Sequence, residues 1–258
     1  MTPPKLCLLD TVISVYAGYS FRNPDFERFS VDGLELLWNA RPQPKRGPRP
    51  ALTTEQIALK GIEIADAEGL AAVSMQRVAA DLGYTKMSLY RYVPGKAELV
   101  ALMADLAIGA PPSLPGDGWR EQLSAWAQAL LPGFARHPWA IEATTGPRII
   151  GPNEVAWLEA ALSALDGTGL AGWERMDVVV VLSGHVRTIA TQLSATPNGD
   201  PERQFGIVLF EIMREHADRF PAVNAALTST LTEGGQDDAL DFGLARILDG
   251  IGALIATR

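Results

Sequence analysis

The chain has 258 residues, of which 47% are hydrophobic and 20% charged, a composition typical of a globular protein with an ample core. Its single cysteine, Cys7, excludes an internal disulfide, which fits a reducing cytoplasm. No apolar run reaches the roughly 18 residues that a membrane span needs, and Asp10 interrupts the apolar start of the chain, so we expect a cytoplasmic protein.

The charge is unevenly distributed along the chain. The net charge of −8 argues at first against nucleic acid as a partner. However, residues 41–96 carry 9 basic and 5 acidic side chains, whereas residues 97–258 carry 10 basic and 20 acidic ones. Because DNA affinity depends on the local potential of the docking surface, the basic block keeps DNA among the candidate partners.

The first 50 residues are predicted to form an extension outside the main body. Its proline-rich part, "RPQPKRGPRP" (residues 41–50), excludes a helix or a central strand and predicts an extended arm. The preceding "PDFERFSVDGLELLWNA" is compatible with one or two short amphipathic helices or with a loosely ordered segment. The arm is either a solubilising linker or a DNA contact, on phosphates or in an A·T-rich minor groove, through its cations Arg41, Lys45, Arg46 and Arg49.

From Leu52 onward the pattern is helical almost throughout. Thr53 is a predicted N-cap, Gln56 completes a capping box, and Gly61 marks a point of close packing. Ser74 is expected to cap the second helix. Further helices are predicted from Lys96 onward and over residues 119–136, 139–145, 153–165, 172–195, 201–216 and 238–257. The run "VVVVL" (residues 178–182) also suits a strand, but its long apolar context favours a buried helix.

The segment from Ser74 to Tyr92 has the spacing of a helix-turn-helix. One short helix ends at Gly83, and a second, "TKMSLYRYV", follows after a tight turn. The second helix is expected to enter the major groove, held on its scaffold by Leu89. Its N-terminal residues, whose hydroxyl, ammonium and thioether groups suit base edges, are Thr85, Lys86, Met87 and Ser88.

A second set of residues is predicted to contact the DNA backbone or to support the base-reading helix. Lys96 combines a cation with a helix N-terminus, which favours phosphate. Gln76 is placed to approach a base or phosphate from the side. The complete predicted set adds Thr53, Ser74, Tyr90, Arg91 and Tyr92.

The stretch "SMQRVAADLGYTKMSLYRYVPGKAELVALM" resembles the DNA-binding region of the TetR family of bacterial transcription regulators. The resemblance covers about residues 52–105. It implies that Tyr90 and Lys96 match phosphate-contacting positions, that residues 85–88 fall at or beside base-reading positions, and that Gln76 stands where some members have arginine. Most members begin close to the first helix, so the extension of some 50 residues departs from the family pattern.

The resemblance also implies the architecture of the whole chain. We expect an all-α homodimer with the extension at 1–50, a helix-turn-helix domain at 51–96 and a ligand-binding and dimerisation domain at 97–258. The segments 172–195 and 238–257 would supply the dimer interface. The last of these carries an apolar stripe that suits either the core or that interface: Leu240, Leu244, Ile247, Leu248, Ile251 and Leu254.

Aromatic side chains in the C-terminal part suit either a core or a cavity for a small organic molecule. His185 is interpreted as a core residue, a cavity residue or, least of all, a metal ligand, and Arg187 as a cavity or dimer-interface residue. The irregular stretch "ATTGPRIIGPNE" (residues 143–154) is a candidate gate. The predicted ligand-binding residues are Trp126, Trp139, Arg148, Trp157, His185 and Gln192.

Motifs typical of catalysis are absent from the sequence. No zinc-binding histidine pair, nucleophile elbow or glycine-rich phosphate loop occurs, so we predict no enzyme activity, cofactor or metal. The function predicted is a transcription repressor released from a palindromic operator by a small molecule. An all-helical enzyme and a protein-interaction scaffold that retains the helix-turn-helix are the alternatives.

Overall fold

A computed structural model describes residues 31–38, 52–146, 148–196, 201–230, 232 and 239–258. Those residues form helices joined by turns and contain no strand. The helices are α1 (Val31–Trp38), α2 (Thr54–Glu68), α3 (Met75–Asp81), α4 (Lys86–Leu89), α5 (Lys96–Ile108), α6 (Trp119–Arg136), α7 (Trp139–Ala143), α8 (Pro152–Ala164), α9 (Gly172–Ala195), α10 (Pro201–His216), α11 (Pro221–Ser229) and α12 (Ala239–Ile255).

The all-α fold predicted from the sequence is confirmed, and several boundaries agree with the prediction. α6, α9 and α10 span the predicted residues, so the run at 178–182 is helical. α4 is shorter than predicted, because residues 90–92 form a turn in which Tyr92 N–H donates to the Leu89 carbonyl at 2.8 Å. α11 was not predicted. It begins at Pro221, whose fixed φ suits the first turn of a helix.

α5 connects the helix-turn-helix to the rest of the protein. It packs on α2 on one side and on α6, α7 and α8 on the other. Gly61 of α2 lies against this helix, as predicted, since a Cβ there would stand 2.6 Å from Met103 Sδ. With 13 residues, α5 is about 20 Å long. A shift at its C-terminal end can therefore move the helix-turn-helix at its N-terminal end.

The C-terminal helices form a bundle in which α9 packs against α6, α8 and α12. By length and composition α9 is apolar enough to cross a membrane, but its inward residues Val178, Leu182 and Val186 are core positions of this bundle. The stripe on α12 lies partly in the same core: Leu244, Leu248 and Ile251 are buried within the chain, Leu240 and Ile247 are half-buried, and Leu254 is 36% exposed. The three buried residues therefore belong to the core of this chain, the first of the two alternatives that the sequence left open for the stripe.

α1, the described part of the extension, docks on α5 and on the stretch before α8. Leu37 is buried against Ala101 and Ile149. Trp38 also donates its indole N–H to the Ile150 carbonyl at 2.9 Å. This part of the extension is therefore a docked helix, which was one of the two alternatives that the sequence left open.

Candidate DNA interface and ligand cavity

The helix-turn-helix is built from local capping interactions that the sequence encodes. Thr53 Oγ1 accepts from Gln56 N at 3.1 Å and Thr53 N–H donates to Gln56 Oε1 at 2.9 Å, which completes the predicted capping box. Ser74 Oγ accepts from Arg77 N at 3.2 Å. The turn uses Gly83 at φ 75°, a conformation that favours glycine. These interactions define the starts of α2 and α3 and the turn between α3 and α4.

The start of α4 projects from this scaffold. Leu89 is fully buried and anchors the helix, while Met87 is 72% exposed. Thr85 Oγ1 accepts from Ser88 N at 3.2 Å and lies 2.9 Å from Ser88 Oγ, so both hydroxyls also stabilise the first turn. Lys86 is exposed, with Nζ 5.6 Å from the centre of the Tyr90 ring. The structure thus brings the predicted base-reading residues together at one exposed tip.

Exposed cations lie in this tip and in the residues that follow it. Within the described part of the chain, Lys86, Arg91 and Lys96 form no ion pair. Arg77, in contrast, pairs with Glu68 and Asp81, and these hydrogen bonds, first that with Glu68, raise its pKa. The unpaired cations are therefore the ones available to DNA phosphates.

The other predicted DNA contacts differ in exposure. Gln76 and Tyr90 are exposed beside the tip, whereas Tyr92 is half-buried and packs against the core. Thr53 and Ser74 lie at the N-termini of α2 and α3, where their hydroxyls act as caps. The predicted arm contacts, Arg41, Lys45, Arg46 and Arg49, lie outside the described residues.

A cavity of about 150 Å³ lies within the bundle between α5, α6 and α8. Trp157 is the one predicted ligand-binding tryptophan that lines it. Trp126 is buried behind Trp157, with its indole N–H donating to the Trp157 carbonyl at 2.8 Å. The lining residues include Ile108, Leu130, Pro132, Phe134, Arg136 and Trp157.

Three other predicted ligand-binding residues lie away from this cavity. His185 Nε2 is 3.0 Å from the Leu240 carbonyl, and its ring packs against Gly243, so it joins α9 to α12. Gln192 is exposed on α9. Trp139 donates its indole N–H to Asp66 Oδ1 at 2.7 Å, which connects the bundle to α2.

Arg148 belongs to a buried polar cluster beside the cavity, and the acidic members of this cluster were not predicted from the sequence. Asp105 of α5 accepts from the N–H groups of Asn153 and Glu154 at 2.8 and 3.2 Å. Gly151 permits this approach, because a Cβ there would be 2.2 Å from Asp105 Oδ1. Arg148 donates to Glu154 Oε2. A carboxylate within the apolar run "LVALMADLAIG" was the signal available in the sequence.

Arg187 reaches the same cluster from α9. Its guanidinium carbon lies 5.1 Å from the centre of the Phe134 ring, and it donates to the Thr144 carbonyl at 3.4 Å. Arg187 is therefore partly buried and makes these contacts within its own chain. Burial raises the pKa of Asp105 and of Glu154 and lowers the pKa of Arg187, because each charged form loses hydration.

Comparison with known proteins covers both regions. The family profile "Bacterial regulatory proteins, tetR family" matches residues 60–103, and "Tetracyclin repressor-like, C-terminal domain" matches residues 111–255. The HTH-type transcriptional repressor DrrR1 of Streptomyces coeruleorubidus is 38% identical over 236 residues, which cover 87% of this chain and 86% of that protein.

Solved structures agree with this assignment. Apo ActR of Streptomyces coelicolor superposes with a TM-score of 0.68 at 26% identity, covering 81% of this chain and 99% of that one. ActR in complex with actinorhodin gives a TM-score of 0.67 at 27% identity, covering 79% and 96%.

Proposed function

From the premise that this chain belongs to the TetR family of bacterial transcription regulators, we propose that it is a repressor that α4 holds on a palindromic operator. The family consists of DNA-binding regulators that respond to small molecules and act as homodimers, and this chain is such a regulator. We further propose that a small molecule in the bundle releases the operator.

The exposed tip of α4 carries the proposal. α4 has the form of a recognition helix. It is anchored by the fully buried Leu89, and it presents Lys86 and the 72% exposed Met87 to solvent. Lys86 can donate to guanine O6 and N7, and Met87 can contact a thymine methyl. Lys96, at the N-terminus of α5, supplies phosphate binding close by.

The exposed face of α9 supports the proposed homodimer. Trp173, Met176 and Val180 form an outward apolar stripe that is 44–68% exposed, the opposite side of the helix from its core residues. On α12, Phe242 is 71% exposed and lies outside the buried stripe. Apolar area of this kind on two adjacent helices is typical of an interface, so we place the seam on these faces.

Release follows from the position of α5 between the two functional regions. Asp105 joins α5 to the first turn of α8, beside the cavity, and Lys96 lies at the other end of the same helix. A ligand that shifts α8 against α5 therefore changes the angle between the two recognition helices of the dimer. The ligand must bind this shifted state more tightly than the DNA-bound state, since equal affinity changes no population.

The chemical class of the effector and the cellular compartment are also part of the proposed function. ActR was crystallised with actinorhodin, and by similarity we propose a small organic effector for this chain. We also propose that the protein has no catalytic activity and acts in the cytoplasm. The family's regulatory, DNA-binding role supports both proposals.

The test begins with selection of a binding duplex from a random library, followed by affinity measurements on it. Tyr90→Phe and Lys96→Ala should weaken binding about equally on cognate and mutated duplexes, because phosphate contacts carry no sequence information. Lys86→Ala should instead reduce the difference between cognate and mutated duplexes by about 1–3 kcal/mol. Glu159→Gln, exposed on α8, is the control. If selection enriches no sequence at low salt, the proposed function is wrong.

A further inference from the structure

The buried polar cluster beside the cavity has a balanced charge. It contains the carboxylates of Asp105 and Glu154 and the guanidiniums of Arg148 and Arg187, contributed by α5, α8, α9 and the stretch before α8. The side chain of Glu154 is 9% exposed and that of Arg148 is 19% exposed. Ion pairs buried to this degree normally use all their donors and acceptors, because an unused one has lost its hydration without replacement.

Two atoms of this cluster have no hydrogen-bond partner. Arg148 donates to Glu154 Oε2 through a terminal guanidinium nitrogen only. Arg148 Nε and Glu154 Oε1 are both buried, and both are unpaired within the described part of the chain. A two-pronged arginine–carboxylate bridge would have used them. One donor and one acceptor on the same ion pair are therefore unused, although neither atom is accessible in this arrangement.

This ion pair is adjacent to the cavity. Glu154 and Trp157 are three residues apart on α8, so their side chains lie on the same face of the helix. Trp157 and Phe134 line the cavity, and Phe134 also contacts Arg187. The cavity of about 150 Å³ has the volume of cavities that bind benzene, and its lining combines Trp157 and Phe134 with the polar Arg136. Neither Arg148 nor Glu154 lines the cavity itself, so a substituent on a ring held there reaches the ion pair only when a side chain between them moves.

We propose that Arg148 Nε and Glu154 Oε1 bind the polar end of the effector, and that this effector is a neutral aromatic molecule with a carbonyl oxygen beside an N–H or O–H group. The carbonyl oxygen accepts from Arg148 Nε, and the N–H or O–H donates to Glu154 Oε1. Because the cluster is already balanced, a charged ligand would leave an uncompensated buried charge. This inference rests on the proposed function, whose ligand it assigns to a chemical class.

The same position connects the ligand to α5. The Glu154 backbone N–H donates to Asp105, and so does that of Asn153. A molecule bound to the Glu154 carboxylate therefore acts on the residue that joins α8 to the helix leading to the DNA-binding region. The irregular stretch before α8 carries Arg148, so the arginine can move to admit the molecule without breaking a helix.

The experiment uses benzamide and three probes of matched shape in calorimetric or ligand-observed NMR titrations. Acetophenone lacks the donor, benzoate is an anion and benzamidine is a cation. Wild-type protein should bind benzamide at least about ten-fold more tightly than each of the others, the effect of one hydrogen bond to a charged group. In Glu154→Gln the cluster gains a net positive charge, so benzoate should become the preferred probe. In Arg148→Gln, benzamidine should become preferred.

The controls separate the site from the fold and from the proposed function. Glu159→Gln removes an exposed carboxylate from the same helix and should keep the wild-type order. If neither cluster variant folds, as judged by cooperative thermal unfolding, the wild-type order alone decides. Absence of binding, or no preference for benzamide, overturns the inference. DNA affinity measured in the same samples tests the regulator independently: correct probe order without any DNA binding rejects the proposed function and leaves the site.

Discussion

Asp66 connects the helix-turn-helix to the bundle through two hydrogen bonds, which makes its removal an informative perturbation. Its Oδ1 atom, on α2, accepts from His137 Nδ1 at 2.8 Å and from Trp139 Nε1 at 2.7 Å. Both donors lie at the junction of α6 and α7. Asp66→Ala removes both hydrogen bonds and leaves the Trp139 indole N–H, in a residue that is only 6% exposed, without its acceptor.

The magnitude follows from these contacts. A hydrogen bond to a charged group contributes about 1.5–3 kcal/mol, but Asp66 is 36% exposed and solvent screens part of its charge. We therefore expect Asp66→Ala to lower the free energy of unfolding by about 2 kcal/mol in total. For a chain of this size that corresponds to a fall of about 4–8 °C in Tm.

The assay is thermal unfolding followed by calorimetry, together with operator affinity. Glu63→Ala is the matched control, because Glu63 lies on the same helix and pairs only locally, with Lys60. Asp66→Asn should fall between wild type and Asp66→Ala, since its amide oxygen still accepts from the Trp139 indole. If Asp66→Ala unfolds at the same temperature as Glu63→Ala, the two hydrogen bonds do not connect the domains as argued.

Three further perturbations have expected outcomes. Gly61→Ala should destabilise the protein by about 1 kcal/mol in urea unfolding, because an overpacking cost of about 2 kcal/mol against Met103 outweighs a gain of about 1 kcal/mol in helix propensity. An unchanged stability would show that Met103 moves aside freely. Because burial raises the pKa of Glu154 above its usual 4.5, the folded protein holds that proton more tightly than the unfolded chain does. Wild type should therefore lose stability relative to Glu154→Gln as pH rises from 4.5 through the raised pKa, and a difference independent of pH would contradict this. Replacing the four cations of residues 41–50 with glutamine should weaken operator binding. The slope of log affinity against log salt concentration should fall in magnitude by about 0.9 for each DNA phosphate that these cations neutralise in the wild type. An unchanged slope would assign them a linker role.

Features that depend on neighbouring residues were predictable from the sequence. The capping box of Thr53 and Gln56, the Ser74 cap and the turn at Gly83 all formed as expected, because each uses groups within a few residues of one another. The exposed tip of α4 also followed, since the anchor Leu89 and the residues before it fix which side faces outward.

Features that depend on tertiary contacts were not predictable in the same way. Leu244, Leu248 and Ile251 of the α12 stripe face the core because α6 and α9 of the same chain cover them, and helical periodicity alone does not say what covers an apolar face. The cluster around Asp105 and Glu154 joins segments 48 and 49 residues apart. Its members carry no spacing signal, and only the packed structure shows that Arg148 Nε is buried without a partner.

The claim that the tip of α4 contacts base edges in duplicate is tested most directly by photo-crosslinking. Met87, 72% exposed, is replaced by a photoreactive phenylalanine derivative, and the crosslinked bases in a selected operator are mapped. We predict crosslinks to major-groove bases at equal distances on both sides of the operator centre, and none from the same group at Val155 on α8. A bound duplex that crosslinks nowhere from position 87, or equally from position 155, would contradict this claim.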